Sequence, residues 1–251
     1  MQTSRFLELL EADFRRLREL AEGDLDAKVP TCPDWTLTDL VEHVSMVYLH
    51  KVETMRHNAF PSVWPPQDLV AQKPAELLSR AYAALSAEFA DRDASASAPT
   101  WYEPDQTVGF WIRRMAHESV VHRVDAELAA GAEPSVIPDD LAADGVDEVL
   151  KAFLEYGSEV SYEEFAEALS SSTGQTVLVT VGDRVWSVTL RPEGVAVAGA
   201  EPGSKADARI TGDPAAVLLW VWRRADDRVV TIEGDATLGA KFHELMRIAT
   251  Q

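Results

Sequence analysis

The sequence predicts an α+β protein of two domains: an N-terminal helical bundle, then a C-terminal unit of sheet and helix. Three observations carry that expectation. Up to about residue 157 the apolar residues recur three and four apart. Beyond about residue 170 they alternate, or run together in short segments. Within the helical part, Glu and His stand at positions where a bundle core calls for aliphatic side chains.

The helices follow in order. Phe6, Leu10, Phe14, Leu17 and Leu20 line one face of the first, with charged residues between them. The second starts at Thr36, where Thr36 and Asp39 form a capping box, and runs to about His57. Leu37, Leu40, Val41, Val44 and Val47 give it a stripe to bury. A third follows Pro74 with Leu78, Tyr82, Leu85 and Phe89 on one side, and a fourth spans roughly Val108 to Ala130, closed by Gly131. A fifth begins after Pro138 and ends near Gly157. The connections 58–73 and 93–107 are long and rich in Pro, Ser and Trp, which marks either functional loops or surface excursions.

After SSSTG at 170–174 come TVLVTVG, RVWSVTL and GVAVAG, three strand candidates, with Gly182-Asp183 as the hairpin turn between the first two. ARITG at 208–212 and VVTIEG supply two more, Asp213-Pro214 starts a helix between them, and Asp235 opens a last helix reaching Ile248. The period changes near 157–172, which divides the chain into 1–160 and 161–251, with no internal repeat.

Composition bounds the function classes. The chain has 251 residues, 46% hydrophobic and 26% charged, enough for a sizeable core. One cysteine, Cys32, excludes an intrachain disulfide and a cysteine-based zinc site, and fits a reducing compartment. The first twenty residues interleave charge with leucine, unlike a signal peptide, and no run approaches the ~20 apolar residues of a membrane span. A cytoplasmic protein is expected. A formal charge of −19 repels phosphate backbones and anionic lipid, so neither nucleic acid nor membrane is an expected partner.

The chemistry sits on the fourth helix. Trp111, Met115, Glu118, His122, Asp125 and Ala129 share one face, which starts apolar and then turns to Glu, His and Asp. A buried carboxylate is costly unless paired or coordinated. Glu118 and His122 stand one turn apart, with Cβ atoms about 6 Å from each other, close enough to hold one divalent ion. A third ligand must come from elsewhere, and His43, on the edge of the second helix's stripe, is the candidate with the more buried neighbours. His50 and His57 continue its seven-residue spacing, but seven residues rise about 10.5 Å, so His43 and His50 cannot share an ion. His50 could instead line an entrance. HESVVH is not a zinc-protease motif, because the second His falls one residue too late for His117. Asp125 either orients the site by accepting a hydrogen bond from an imidazole or is a surface acid. Arg113, Arg114 and Arg123 read as solvated, or paired with nearby acids.

CPDWTLTDLVEHV, followed some seventy residues later by RMAHESVVHRVD, resembles the mycothiol-dependent maleylpyruvate isomerase family. That family belongs to the DinB-like group of metal-binding four-helix bundles, and the resemblance covers essentially the whole chain. The segments TVLVTVGDRVWSVTL, ARITGDPAAVLLWVWRR and VTIEGDATL resemble the family's C-terminal domain, which is similar to sterol-carrier-like α+β folds. The resemblance implies a metal triad at His43, Glu118 and His122. It also implies a catalytic arginine from the C-terminal part, with Arg224 favoured over Arg223. Cys32, within the loop motif, is read as a buried packing residue.

Two imidazoles and one carboxylate leave a coordination position open, which is the pattern of catalysis and not of structure. Zinc suits those donors; Fe, Co, Ni and Mn are compatible with them. The resemblance implies that mycothiol, a low-molecular-weight thiol, is the cosubstrate. Its activated sulfur would drive cis–trans isomerisation of a small molecule or transfer to an electrophile, with Asp125 and Arg224 in catalytic roles. The alternative is a non-enzymatic protein that keeps a metal for stability and binds a ligand or partner. A zinc-linked transcription regulator lacks the cysteines and the basic surface it would need.

Overall fold

The computed structural model describes residues 1–66 and 73–250. The expectation of a functional loop over 58–73 therefore lies, for residues 67–72, outside the described residues. The chain divides into two compact units, Met1–Ser135 and Val136–Gln251.

In the first unit, α1 (Thr3–Leu20), α2 (Leu37–His57), α3 (Pro74–Ala90) and α4 (Val108–Ala129) form a bundle. α1 packs on α4, α2 on α3, and α2 on α4. Leu10 and Leu17 of α1, Leu40, Val44 and Tyr48 of α2, Leu78 and Leu85 of α3, and Trp111 and Val120 of α4 are buried in its core. The capping box forms as the sequence reads: the Asp39 backbone N–H donates to Thr36 Oγ1 at 3.3 Å, and the Thr36 N–H donates to Asp39 Oδ2 at 2.7 Å. Thr107 caps α4 in the same manner, accepting from the Phe110 N–H at 3.2 Å. α4 differs from its neighbours in being buried nearly all round. The Tyr48 hydroxyl meets Ser119 Oγ at 2.5 Å and fixes α2 against it.

The second unit holds a five-stranded sheet of β1 (Gln175–Val181), β2 (Arg184–Arg191), β3 (Gly194–Gly199), β4 (Ala208–Gly212) and β5 (Thr231–Gly234), in the order β3-β2-β1-β4-β5. The β1–β4 pair is parallel and the other pairs are antiparallel. Val177, Leu178 and Val179 are consecutive and all fully buried, so the central strand is covered on both faces. The hairpin turns at Gly182-Asp183, with Val181 paired to Arg184. In the helices, α5 (Asp139–Glu148) runs into a π-helical stretch, Val149–Glu155, and on through α6 (Tyr156–Val160) to α7 (Tyr162–Leu169). α8 (Pro214–Val221) lies between β4 and β5, and α9 (Ala236–Ala249) ends the unit.

The sequence divides the chain at 160/161, where its periodicity changes; the described residues divide at 135/136. The physical reason is packing. The helices at 139–169 have bundle-like periodicity but join the sheet: α5 packs on α8, and Trp186 Nε1 donates to Asp147 at 2.8 Å. Ser158 Oγ accepts from the Val195 N–H at 3.0 Å, and Glu155 Oε1 from the Val197 N–H at 2.7 Å. Those two N–H groups lie on the outer edge of β3, so the preceding helices serve to cover a sheet edge. Among the described residues no helix is long and apolar enough to cross a membrane.

Gly234 closes β5 with φ +84°, and a Cβ there would overlap the Asp207 carbonyl oxygen and press on Ala208 Cα at 3.2 Å. Gly234→Ala is expected to destabilise the protein by about 2–4 kcal/mol, through left-handed strain plus backbone collision. Gly199→Ala, whose added methyl meets no atom within 4 Å, should change stability far less. Urea titrations of the two variants check the difference; equal midpoints would contradict it.

Candidate functional site

α2 and α4 bring three polar side chains to one point. His43 Nε2 lies 3.2 Å from Glu118 Oε1, and His122 Nε2 lies 3.3 Å from the same oxygen. One ligand atom from each residue falls within 4.8 Å of the others, and the two imidazole rings meet edge to face at 5.0 Å. Ligand bonds of about 2.1 Å to a tetrahedral ion place neighbouring donors about 3.4 Å apart, close to the two spacings at Glu118 Oε1, while the 4.8 Å span of the three donors is wider and would have to close on an ion. The second oxygen of Glu118 is taken by Arg114, one turn earlier on α4. That pairing leaves Oε1 as the oxygen turned towards both imidazoles.

The other histidines are elsewhere. His50 stands against Phe60 and Trp64, with ring centroids 6.0 and 5.1 Å away. His57 pairs with Glu53 at 3.2 Å. His117 is buried edge-on to Phe6.

Asp125 is fully buried, which removes the surface alternative. It accepts from His122 Nδ1–H at 3.0 Å and, through its other oxygen, from the Thr31 hydroxyl at 2.5 Å. The order of proton loss follows: with the Nδ1 proton held by a carboxylate, the ring gives up its other proton from Nε2, on the side of Glu118. Thr31 and Trp35 belong to a closed turn ahead of α2. There the Val29 N–H donates to the Trp35 carbonyl at 3.0 Å and the Leu37 N–H to the Ala27 carbonyl at 2.9 Å. The Trp35 ring lies 4.8 Å from that of His43 and 6.2 Å from that of His122. Neither residue stands out in the sequence beyond its place in TCPDWT, the one compact turn motif before the capping box. Cys32, in the same turn, is half-buried and not the buried packing residue expected.

The charges around α4 are compensated. Burial alone pushes the Glu118 carboxyl up, but His122 and Arg114 outweigh it and hold it well below the usual carboxylate range. Burial likewise pushes the His122 imidazole down, and Glu118 and Asp125 reverse this, holding it at about 9. Arg114 and Arg123 are buried and paired, so the solvated reading fails for both. Arg123 donates to Asp13 at 2.9 Å, to Glu127 at 2.7 Å and to the Ser135 carbonyl at 2.8 Å. Arg113 is half-buried.

In the second unit, α8 ends in a paired-bond cap. The Arg223 N–H donates to the Trp220 carbonyl at 2.9 Å and the Arg224 N–H to the Leu219 carbonyl at 2.7 Å. The turn puts Arg223 at φ +61°, a conformation usually left to Gly or Asn. Arg223 is exposed, reaches the Thr250 carbonyl at 3.1 Å, and lines a 420 Å³ cleft with Trp220, Asp227 and His243. Arg224 is half-buried, donates to the Trp222 carbonyl at 2.7 Å, and lies 5.9 Å from the Trp222 ring.

Residues 7–127 match the family model described as the mycothiol maleylpyruvate isomerase N-terminal domain, and residues 140–241 match that family's C-terminal domain. No curated protein sequence matches the chain. Among solved structures, the chain is similar to a mycothiol-dependent maleylpyruvate isomerase, with 16% identity over 94% of this chain and 95% of that one and a TM-score of 0.64. A point variant of a mycothiol-dependent maleylpyruvate isomerase gives 15% identity, the same coverage and a TM-score of 0.63. At such identity the likeness speaks for the fold. A UbiJ-SCP2 ubiquinone synthesis protein aligns with 46% of this chain and 96% of its own at 21% identity, but with a TM-score of 0.32 it carries no argument.

The raised His122 pKa sets a pH dependence for protein stripped of metal. An imidazole held at about 9 in the folded state stabilises it fully below its unfolded value of 6.5 and loses that contribution as pH rises through 9. Urea midpoints of chelator-treated protein should therefore fall between pH 6.5 and 9.5 by more in the wild type than in His122→Gln. The comparison isolates the imidazole from Lys51, whose depressed pKa acts in the opposite sense. An equal pH response in both chains would refute the coupling.

Proposed function

The chain belongs to the mycothiol maleylpyruvate isomerase family, and from that premise we propose that it is a metal- and mycothiol-dependent enzyme that uses the thiol for cis–trans isomerisation or S-transfer on a small electrophile. His43, Glu118 and His122 are the residues proposed to hold the ion. The observation that carries the reading is the single Glu118 oxygen faced by two imidazole nitrogens at 3.2 and 3.3 Å. A divalent ion bound there, best matched by Zn²⁺ and compatible with Fe, Co, Ni or Mn, supplies the Lewis acidity that brings a thiol's pKa towards neutrality.

The chain's own residues prepare that chemistry. Asp125 holds the His122 Nδ1 proton and so keeps Nε2 free to donate electrons; its role is positioning, since another imidazole edge faces the site. Arg114 engages one Glu118 oxygen and restrains the carboxylate to a single donor. Trp35 lies against both His43 and His122 and so restrains the two rings from one side. Arg224 is assigned to recognition of a substrate carboxylate, which a guanidinium grips through two parallel hydrogen bonds. In isomerisation a sulfur–carbon bond forms while the alkene π pair moves to the conjugated carbonyl. Rotation about the resulting single bond follows, the pair returns, and the thiolate leaves from the trans product. The lone Cys32 fits a reducing compartment, and we place the enzyme in the cytoplasm.

Elemental analysis should find one tightly held metal ion per chain in protein purified without chelator. His122→Ala and Glu118→Gln should lose both the ion and mycothiol-dependent consumption of monochlorobimane. Full metal occupancy without thiol activity on a broad panel of electrophiles would favour a non-enzymatic ligand-binding protein instead. Arg224→Met should keep its metal while KM for a carboxylate electrophile rises about tenfold, the loss of one charge-assisted pair. An unchanged KM would remove Arg224 from substrate recognition.

A further inference from the structure

Two turns along α2 from His43 lies a second polar group that the metal chemistry does not use. The Lys51 ammonium sits 4.8 Å from the centre of the Trp111 ring, and His50 Nδ1 lies 3.2 Å from it. Among the described residues no carboxylate pairs with Lys51. Its charged neighbours are Glu118, which attracts it, and Arg114, which repels it.

Burial pushes the Lys51 ammonium down to about 8 against the pull of Glu118, so the group is desolvated yet still charged at neutral pH. Burial also pushes His50 down to about 4, with the Lys51 charge adding to the effect, so His50 is neutral. A neutral imidazole whose Nδ1 accepts from an ammonium must carry its own proton on Nε2. Two N–H donors of different kinds thus stand together. Beside them are the rings of Phe60 and Trp64, packed on His50, and Phe60 is 46% exposed. The ammonium rests on the Trp111 ring face and gives one N–H to His50, and with no ion pair among the described residues it keeps the capacity to take an anion.

We propose that Lys51, with His50 and the flanking rings of Phe60 and Trp64, is a subsite for the carboxylate end of a small planar acid, unsaturated or aromatic. The ammonium takes the carboxylate through a charge-assisted hydrogen bond, and the planar body lies along the aromatic rings. The proposal names what the substrate presents to the first unit, and so deepens the functional reading, but binding here does not require the metal.

Ligand-detected NMR with benzoate and with methyl benzoate, on chelator-treated full-length protein, tests it directly. Benzoate should bind the wild type, and Lys51→Met should weaken that binding by about tenfold or more, since a hydrogen bond to a charged group is lost. Lys51→Arg should retain most of it, and methyl benzoate should bind wild type and Lys51→Met equally weakly. Benzoate affinity that is the same in wild type and Lys51→Met, or no benzoate binding at all, overturns the subsite. Metal content and bimane consumption, measured on portions of the same proteins kept from chelator, separate the two proposals. Loss of those alone defeats the enzyme reading and leaves the subsite standing, while normal values with Lys51-independent benzoate binding do the reverse.

Discussion

A carboxylate can be taken into a helical bundle only with a full set of partners, and the first unit is arranged to provide them for Glu118. Arg114 lies one turn before it and His122 one turn after it, so two of the partners are set by the pitch of α4 itself. His43 alone has to be delivered by another element. The Tyr48–Ser119 contact fixes α2 against α4, and the Thr36–Asp39 box fixes where α2 begins. The site is therefore organised before any ligand arrives, which spares binding the cost of ordering it.

The same helix carries a second buried charge network just beyond the first. Arg123 binds Asp13 and Glu127, and Glu127 in turn accepts from Arg16 at 3.0 Å and from the Ser135 hydroxyl at 2.6 Å. Such networks contribute little net stability compared with an apolar core, but removing one member strands a buried charge at a cost of about 3–5 kcal/mol. Their effect here is to lock α1 to α4 in one register. One wall of the His43–Glu118–His122 cluster is held rigid by interactions outside it.

What could be read from the sequence follows the range of the interactions. The strands, the Thr36–Asp39 box and the helices other than α7 depend on neighbours within four residues or on a simple period, and were legible; the short α7, Tyr162–Leu169, was not foreseen. The Glu118–His122 spacing was legible for the same reason. Helix rise showed only that His43 and His50 cannot share an ion; preferring His43 needed its more buried neighbours and the family resemblance, and the part played by Arg114 needed the carboxylate's actual orientation. Thr31 and Trp35 reach the site because a turn closes through backbone bonds from residues 25–38, a tertiary event with no periodic signature. The limit of the second unit was misplaced for a related reason: period reports which local structure a segment adopts, not which neighbour it packs on.

The side-chain seal along β3 has an implication for handling the protein. With Ser158 and Glu155 occupying the Val195 and Val197 amides, and with β5 only four residues long, the sheet presents little backbone for another molecule to zip onto. Severing the chain at residue 160, where the amino-acid pattern invites a cut, would unseal one flank and turn it into a template for intermolecular strand pairing. Expressed alone, such a fragment would be drawn towards fibrous aggregates, whereas one beginning at Val136 would carry its own guard.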